Sequence, residues 1–151
     1  MTTLAAALDY IARGWSVFPL RPRSKQPAVP VAPFLSGERR MSVAEAEAYW
    51  GARPNDGIGI VCGAPSGLIV VDVDVRNGGN IEAVRSMLPS YSYEVSTGGG
   101  GAHFYLCVDP QEAGAIRKGK SSMPGVDRIG QGGYVVAPPS IHPSGVAYVW
   151  R

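Results

Sequence analysis

The stretch Leu68-Ile69-Val70-Val71-Asp72-Val73-Asp74-Val75 places the tightest constraint on what this 151-residue chain can fold into. Six apolar residues, most of them β-branched, surround two aspartates. Branching at Cβ suits the pleated surface of a sheet, so the run reads as a strand, and its apolar lead-in as a central, buried one. Residues i and i+2 of a strand leave the same face, and Asp72 and Asp74 are therefore expected to project together. Close carboxylates repel, and buried ones need a partner. A divalent cation removes that conflict, and paired carboxylates with spare oxygens suit Mg²⁺ or Mn²⁺. The motif predicts a metal-dependent site that handles phosphates. The plain alternative is a strand end whose acids meet solvent or salt bridges.

Around this strand, 20 Gly and 13 Pro predict many turns and short strands rather than a helical bundle. Apolar residues at 45% and charged residues at 17% describe a globular domain, expected to span residues 1–151. Leu4, Leu8 and Ile11 recur at helical spacing, with Gly14 as a C-cap. Trp15 to Leu20 reads as a strand, followed by a basic loop from Arg21 to Pro27. Ser42-Val43-Ala44-Glu45 has the form of a capping box opening a helix to about Trp50. Ile58 to Cys62 and Leu68 to Val75, joined by Gly63-Ala64-Pro65-Ser66-Gly67, read as a hairpin. A helix is expected from Ile81 to Leu88, and strands at Tyr91 to Ser96, Ala102 to Val108, Asp127 to Ile129 and Tyr134 to Ala137. Residues 110–125 read as polar and irregular. The mixture of helices with many short strands, free of internal repeats, predicts the α+β class.

The formal net charge of +2 leaves any nucleic-acid binding to a local basic groove. Cys62 and Cys107 each sit in an apolar run and are expected as buried, reduced thiols. The N-terminus has no basic segment leading into an apolar core, and no apolar run nears the roughly 20 residues that cross a bilayer. A cytoplasmic protein without a membrane partner is expected. Val146 to Arg151 reads as a strand that stops abruptly, which suggests a piece of a longer protein.

Other residues join the aspartates as candidates. His103 follows Gly98 to Gly101, whose missing side chains would let backbone approach a ligand closely, and its imidazole is suited to a phosphate oxygen. The glycine spacing matches neither the Walker nor the dinucleotide-binding pattern. Asp127 precedes Gly130-Gln131-Gly132-Gly133-Tyr134; alone it reads as a turn former, and beside Asp72 and Asp74 as a third carboxylate. Three acids suffice for two ions, one at a 3′-hydroxyl and one at a departing pyrophosphate. Lys25, with Arg21 and Arg23, and the group Arg117, Lys118 and Lys120 read as phosphate contacts or as solvated loops. Arg128 stands beside a candidate ligand, where it would neutralise substrate charge, and His142 reads as structural.

These motifs together resemble the bifunctional primase/polymerase (prim-pol) domain of the archaeo-eukaryotic primase superfamily, found in replication proteins of phages and plasmids. The resemblance covers almost the whole chain. It rests on Ala7-Leu8-Asp9-Tyr10, Gly14 to Leu20, Lys25-Gln26-Pro27, Asn55 to Gly59, Ser66 to Asp74, Thr97 to His103 and Gly132-Gly133-Tyr134-Val135-Val136-Ala137-Pro138-Pro139-Ser140. It implies an RNA-recognition-motif-like catalytic half and a smaller α/β half, with the active site between them. By resemblance, Asp72 and Asp74 match the paired metal-binding acids, Asp127 the third acid and His103 the nucleotide-binding histidine. The family often carries Arg two residues after the third acid, where this chain has Ile129, with Arg128 as the substitute.

The expected activity is template-directed nucleotidyl transfer: a DNA primase/polymerase that uses Mg²⁺ or Mn²⁺, nucleoside triphosphates and a single-stranded or primed DNA template. Nucleotide binding is expected from His103, Lys25 and Arg128, and a helicase fused to or acting with the domain is the expected partner. Two rival readings fit parts of the chain. A catalytically silent nucleic-acid-binding module of a replication initiator has no need of facing carboxylates. A nuclease or glycosyltransferase with an Asp-x-Asp pair gives no reason for the Gly-Gly-Tyr-Val-Val-Ala-Pro-Pro-Ser run.

Overall fold

Two antiparallel sheets, packed through a shared core, organise the computed structural model, which describes residues 1–88 and 90–151. The elements in chain order are α1 (Thr3–Ala12), β1 (Val17–Leu20), α2 (Ala32–Ser36), α3 (Val43–Ala52), β2 (Gly57–Val61), β3 (Leu68–Val73), a 3₁₀ turn (Val75–Asn77), α4 (Ile81–Met87), β4 (Tyr93–Ser96), β5 (Ala102–Cys107), α5 (Pro110–Ala115), β6 (Gly119–Lys120), β7 (Val126–Ile129), β8 (Tyr134–Ala137) and β9 (Val149–Trp150). The fold is α+β, as the sequence predicts. The smaller sheet has the order β1-β2-β8, and the larger the order β6-β7-β3-β5-β4-β9.

Local chemistry sets the helix starts. Thr2 Oγ1 accepts the Ala5 N–H at 3.1 Å to open α1. Both halves of the Ser42–Glu45 capping box are made, at 3.1 Å and 3.0 Å, and they open α3. Asn80 Oδ1 accepts the Ala83 N–H at 3.0 Å at the head of α4. Each helix then buries one face: Ala6, Ala7 and Tyr10 from α1, Ala46 and Trp50 from α3, and Val84 from α4.

Four expectations need correction. The hairpin of residues 58–75 does not form: β2 and β3 lie in different sheets, joined at the turn by a single bridge between Gly63 and Leu68. A strand has two edges, and those of β2 are taken by β1 and β8, those of β3 by β5 and β7. The second concerns residues 110–125, which contain α5 and β6; Pro110 occupies the first turn of α5, and the Asp109 side chain accepts the Gln111 N–H at 2.8 Å. Third, the short α2 was not foreseen, because five residues are too few for a periodic signal; its role is to bury Phe34. Fourth, Cys62 is buried and free, but Cys107, at the end of β5, is free and exposed.

Alternation along β3 divides the core in two. Leu68 and Val70 face the smaller sheet and join Val95 and Tyr105 with Phe18, Ile58, Ile60 and Trp50 in the main cluster. Val71 and Val73 face the other way, with Ala102, Phe104 and Val126 packed beneath Val84 of α4. Asp72 has the parity of Val70 and therefore looks toward the smaller sheet.

The two sheets are tied by aromatic rings and a few long-range hydrogen bonds. Trp15 lies 5.7 Å from Tyr10, 5.8 Å from Tyr93 and Tyr105, and 6.4 Å from Trp150, centroid to centroid. The Tyr10 hydroxyl donates to the Pro138 carbonyl at 2.5 Å and accepts from Trp150 Nε1 at 3.1 Å. Burial raises its pKa, so it stays a protonated donor. Ser140 Oγ accepts the Ile58 N–H at 2.8 Å, which fixes the segment after β8 against β2. Tyr10→Phe leaves the buried Pro138 carbonyl without its donor. It is expected to cost about 2 kcal/mol, read as a lower denaturant midpoint with an unchanged slope in equilibrium unfolding.

Candidate active site

Strand register assembles the site. Asp72 lies directly opposite His103 of β5 on one side and Asp127 of β7 on the other. Asp127 in turn faces Lys120 of β6, and His103 faces Val95 of β4. Directly opposed residues of antiparallel strands share a face, so Val95, His103, Asp72, Asp127 and Lys120 form one row across the larger sheet. The next row on that face, Tyr93, Tyr105, Val70 and Ile129, is mostly apolar. The chemistry therefore begins one row beyond the point where the face leaves the core between the sheets.

His103 is 7% exposed, and its Nε2 lies 3.2 Å from Asp72 Oδ1. Its Nδ1 is buried and has no hydrogen-bond partner among the described residues. The Asp72 side chain is one-third exposed (33%), so it opens onto solvent rather than being sealed in the core as the sequence suggested. Burial, and after it the charge of Asp72, push the Tyr148 hydroxyl up to about 12.

Asp74 is not part of β3, which ends at Val73. It caps the 3₁₀ turn instead: its Oδ1 accepts the Arg76 N–H at 3.0 Å and its Oδ2 accepts from Asn77 Nδ2 at 2.5 Å. The expectation of two acids on one strand face is corrected to one on the strand and one on the turn that follows. They still meet at shared cavities. One, of about 60 Å³, is lined by Asp72, Asp74, Lys25, Arg76, His103 and His142. A second, of about 480 Å³, is lined by Asp72, Asp74, Asp127 and Lys120 together with residues 121–126. A third, of about 200 Å³, lies between the sheets, with Asp72, His103 and Ile129 on one wall and Tyr134 to Val136 on the other. Asp72 borders all three.

Among the described residues no three His, Cys, Asp or Glu side chains close around a single point. The acids form an open, one-sided set of hard oxygen donors. That suits Mg²⁺ or Mn²⁺, which keep water ligands and take substrate phosphates, better than a cation needing an all-protein cage.

Lys25 reaches two of these cavities from the basic loop, and the Tyr134 hydroxyl holds its carbonyl at 2.8 Å. Arg128 is not brought to the site. It pairs with Val71, on the reverse face of the sheet, and its Nε donates to the Arg117 carbonyl at 3.0 Å. The position two residues after Asp127, which shares its face, is Ile129, and alternation leaves Arg128 no way to replace it.

The glycine run has a different cause from the one expected. A Cβ on Gly98 would stand 2.2 Å from His142 Cβ, and one on Gly101 would stand 2.2 Å from the Val73 carbonyl oxygen. Both positions exclude side chains because protein, not ligand, fills the space. Gly99 and Gly101 line the 60 Å³ cavity, and of the two a side chain at Gly99 would meet only side-chain nitrogens and carbon rather than backbone.

Sequence reading missed Arg76, Tyr148 and above all His142, which was expected to be structural. His142 is 6% exposed, and its Nδ1 accepts the Ser144 N–H at 3.0 Å. Ser144 Oγ donates to the Gly98 carbonyl at 2.9 Å, which clips this loop to the glycine turn. Burial lowers the pKa of His142, helped by Lys25 and Arg76. The one signal available was the count: the chain has 2 His, and both line the same cavity.

A family model described as bifunctional DNA primase/polymerase, N-terminal (Prim-Pol), matches residues 7–151. No curated protein matches the chain.

Gly101→Ala is expected to destabilise the protein by about 1–3 kcal/mol, since a methyl group there meets backbone rather than a movable side chain. Thermal unfolding checks it; a melting temperature equal to that of the parent contradicts the packing account of the glycine run.

Proposed function

The chain belongs to the bifunctional DNA primase/polymerase family, and from that premise we propose that the row His103, Asp72 and Asp127, with Asp74 beside it, is a nucleotidyl-transfer site. The substrates of a primase/polymerase are DNA and nucleotides. In this reading a primer 3′-hydroxyl attacks the α-phosphorus of a nucleoside triphosphate. A P–O bond to the primer forms, the P–O bond to the pyrophosphate breaks, and pyrophosphate leaves.

The residues divide the work. Mg²⁺ or Mn²⁺ held by Asp72, Asp127 and Asp74 would supply Lewis-acid activation of the hydroxyl and charge neutralisation at the phosphates. Asp72 is held in place through His103 Nε2 and by its position on an inner strand, so its carboxylate needs little rearrangement before reaction. Asp74 is held by its own turn through the Arg76 N–H and Asn77. Lys25, on a loop anchored by Tyr134, supplies positive charge toward the triphosphate, and His103 binds it beside Asp72. The inter-sheet cavity, walled by Tyr134, Val135, Val136 and Ile129, is the space for the nucleoside. Catalysis then consists of positioning and electrostatics.

The observation that carries the reading is the cross-strand register that sets two carboxylates and an imidazole side by side on one face. A replication setting on a phage or plasmid, with a helicase fused to or acting with the domain, is the context this reading expects. Among the described residues no helix is long and apolar enough to cross a membrane.

Primer extension with Mg²⁺ and with Mn²⁺ tests the proposal. Asp72→Asn keeps the shape and removes the charge; it is expected to lower extension by about a thousand-fold, a loss of roughly 4 kcal/mol of transition-state stabilisation, with the melting temperature close to that of the parent. Extension at the parent rate overturns the assignment. Running primed and unprimed templates in parallel separates extension from priming.

A further inference from the structure

The polar part of the cross-strand row has two ends, and the reaction as proposed uses one of them. His103 stands at one end and Lys120 at the other, with Asp72 and Asp127 between them. The cavities divide in the same way. His103 lines the two smaller ones and not the cavity of about 480 Å³, while Lys120 and Asp127 line that cavity and neither of the others. Nucleotidyl transfer brings two phosphate-bearing reactants to one set of acids from opposite sides. The nucleotide takes the His103 side. The 480 Å³ cavity, a volume within the range of ligand clefts, is left for the strand that carries the attacking hydroxyl.

Beyond Lys120 the larger sheet ends. Among the described residues β6 pairs with β7 alone, and its outer edge is open. Lys118 and Lys120 leave this edge on the face of the acids. The register sets Lys120 against Asp127 and Gly119 against Arg128, and a Cβ on Gly119 would stand 3.2 Å from the Arg128 guanidinium, on the reverse face. Lys118 lies with Ile129 instead: a Cβ on Gly133 would stand 2.8 Å from Ile129 Cγ2 and 3.5 Å from Lys118 Cβ. Both lysines are exposed, and among the described residues neither has a carboxylate at salt-bridge distance, Asp127 included. Residues two apart along a strand stand about 7 Å apart, close to the spacing of neighbouring phosphates in one nucleic-acid strand. The whole chain carries a formal charge of only +2, so the placement is local and not a consequence of bulk charge. Lysines on a sheet edge also hinder strand addition, a role that asks for charge but not for a position beside the acids.

We infer that Lys118 and Lys120 bind consecutive backbone phosphates near the 3′ end of the primer, and so lead that strand over the β6 edge into the cavity beside Asp127. This inference rests on the nucleotidyl-transfer reading above and adds to it the path of the second substrate. The contacts are to phosphate, so they carry no base preference and weaken as salt rises.

The test is equilibrium binding of a primed DNA template, read by fluorescence anisotropy across a NaCl series, for the parent, Lys118→Gln, Lys120→Gln, the double variant and Arg53→Gln. Arg53, at the C-terminal end of α3, removes the same charge from a different part of the surface. Each lysine variant is expected to raise Kd about five-fold and to flatten the slope of log K against log salt by about 1, with the melting temperature near that of the parent. Arg53→Gln is expected to leave Kd and slope at parent values. A primer with uncharged methylphosphonates at its 3′-terminal linkages is expected to bind the parent more weakly and to bind the double variant no more weakly than the ordinary primer does. The same change in the facing template linkages is expected to leave the difference between parent and double variant intact. Lysine variants that bind as the parent does, an equal loss in Arg53→Gln, or a loss that follows the template linkages overturns the inference while leaving nucleotidyl transfer standing. Primer extension by the parent, measured on the same DNA, keeps the two readings apart. An inactive parent overturns the nucleotidyl-transfer reading, and the anisotropy still decides whether this edge holds the primer.

Discussion

The occupancy of both edges of β3 is the constraint on which the rest depends. Once β5 and β7 pair with it, the register that satisfies the core also sets His103 and Asp127 against Asp72. A slip of one residue would turn Asp72 under α4 and turn Val71 and Val73 toward the smaller sheet. Burying an unpaired carboxylate costs several kcal/mol, a large part of the about 5–15 kcal/mol by which a domain is stable. The packing of Val70, Val71 and Val73 therefore enforces the geometry of Asp72 and Asp127, while Asp74 is set by the turn that follows β3.

The site is built from two kinds of parts. The acids and His103 ride on the larger sheet and its following turn, where strand pairing makes them rigid. The nitrogen donors come from irregular segments pinned to that frame: Lys25 by the Tyr134 hydroxyl, His142 by Ser144 and the Gly98 carbonyl. This explains the long Gly-Gly-Tyr-Val-Val-Ala-Pro-Pro-Ser run without giving it any chemistry of its own. Tyr134 anchors the basic loop, the Pro138 carbonyl receives the Tyr10 hydroxyl, and Ser140 Oγ receives the Ile58 N–H. Besides walling the inter-sheet cavity with Tyr134, Val135 and Val136, the most specific motif of the chain is scaffold that holds the two sheets and the loops at a fixed spacing.

Much of this was legible in the sequence, because its signals are local. The Asp72 strand announces itself by β-branching, α3 by its capping box, and the glycine turn before His103 by composition. What was illegible is pairwise. Nothing in residues 58–75 says that β2 and β3 spend their edges on other strands, so the hairpin was a fair reading of turn chemistry and a wrong one of topology. The reverse-facing Arg128 follows from alternation alone, since it is adjacent to Asp127 in β7 and pairs with Val71. His142 and Arg76 were missed since their meeting point is a gap over Gly99, created by three segments distant in sequence. Asp74 left the strand because its side chain satisfies the N–H groups of a turn, a competition that apolar patterning does not register.

The claim at the centre is that Asp72 and Asp127, joined only through strand register, grip one cation beside a triphosphate. Anomalous diffraction from crystals grown with Mn²⁺ and a non-hydrolysable deoxynucleoside triphosphate measures it directly. The account predicts a manganese peak within coordination distance of both carboxylates, with phosphate oxygens completing its shell. A peak bound elsewhere, or triphosphate density remote from these two side chains, would contradict it.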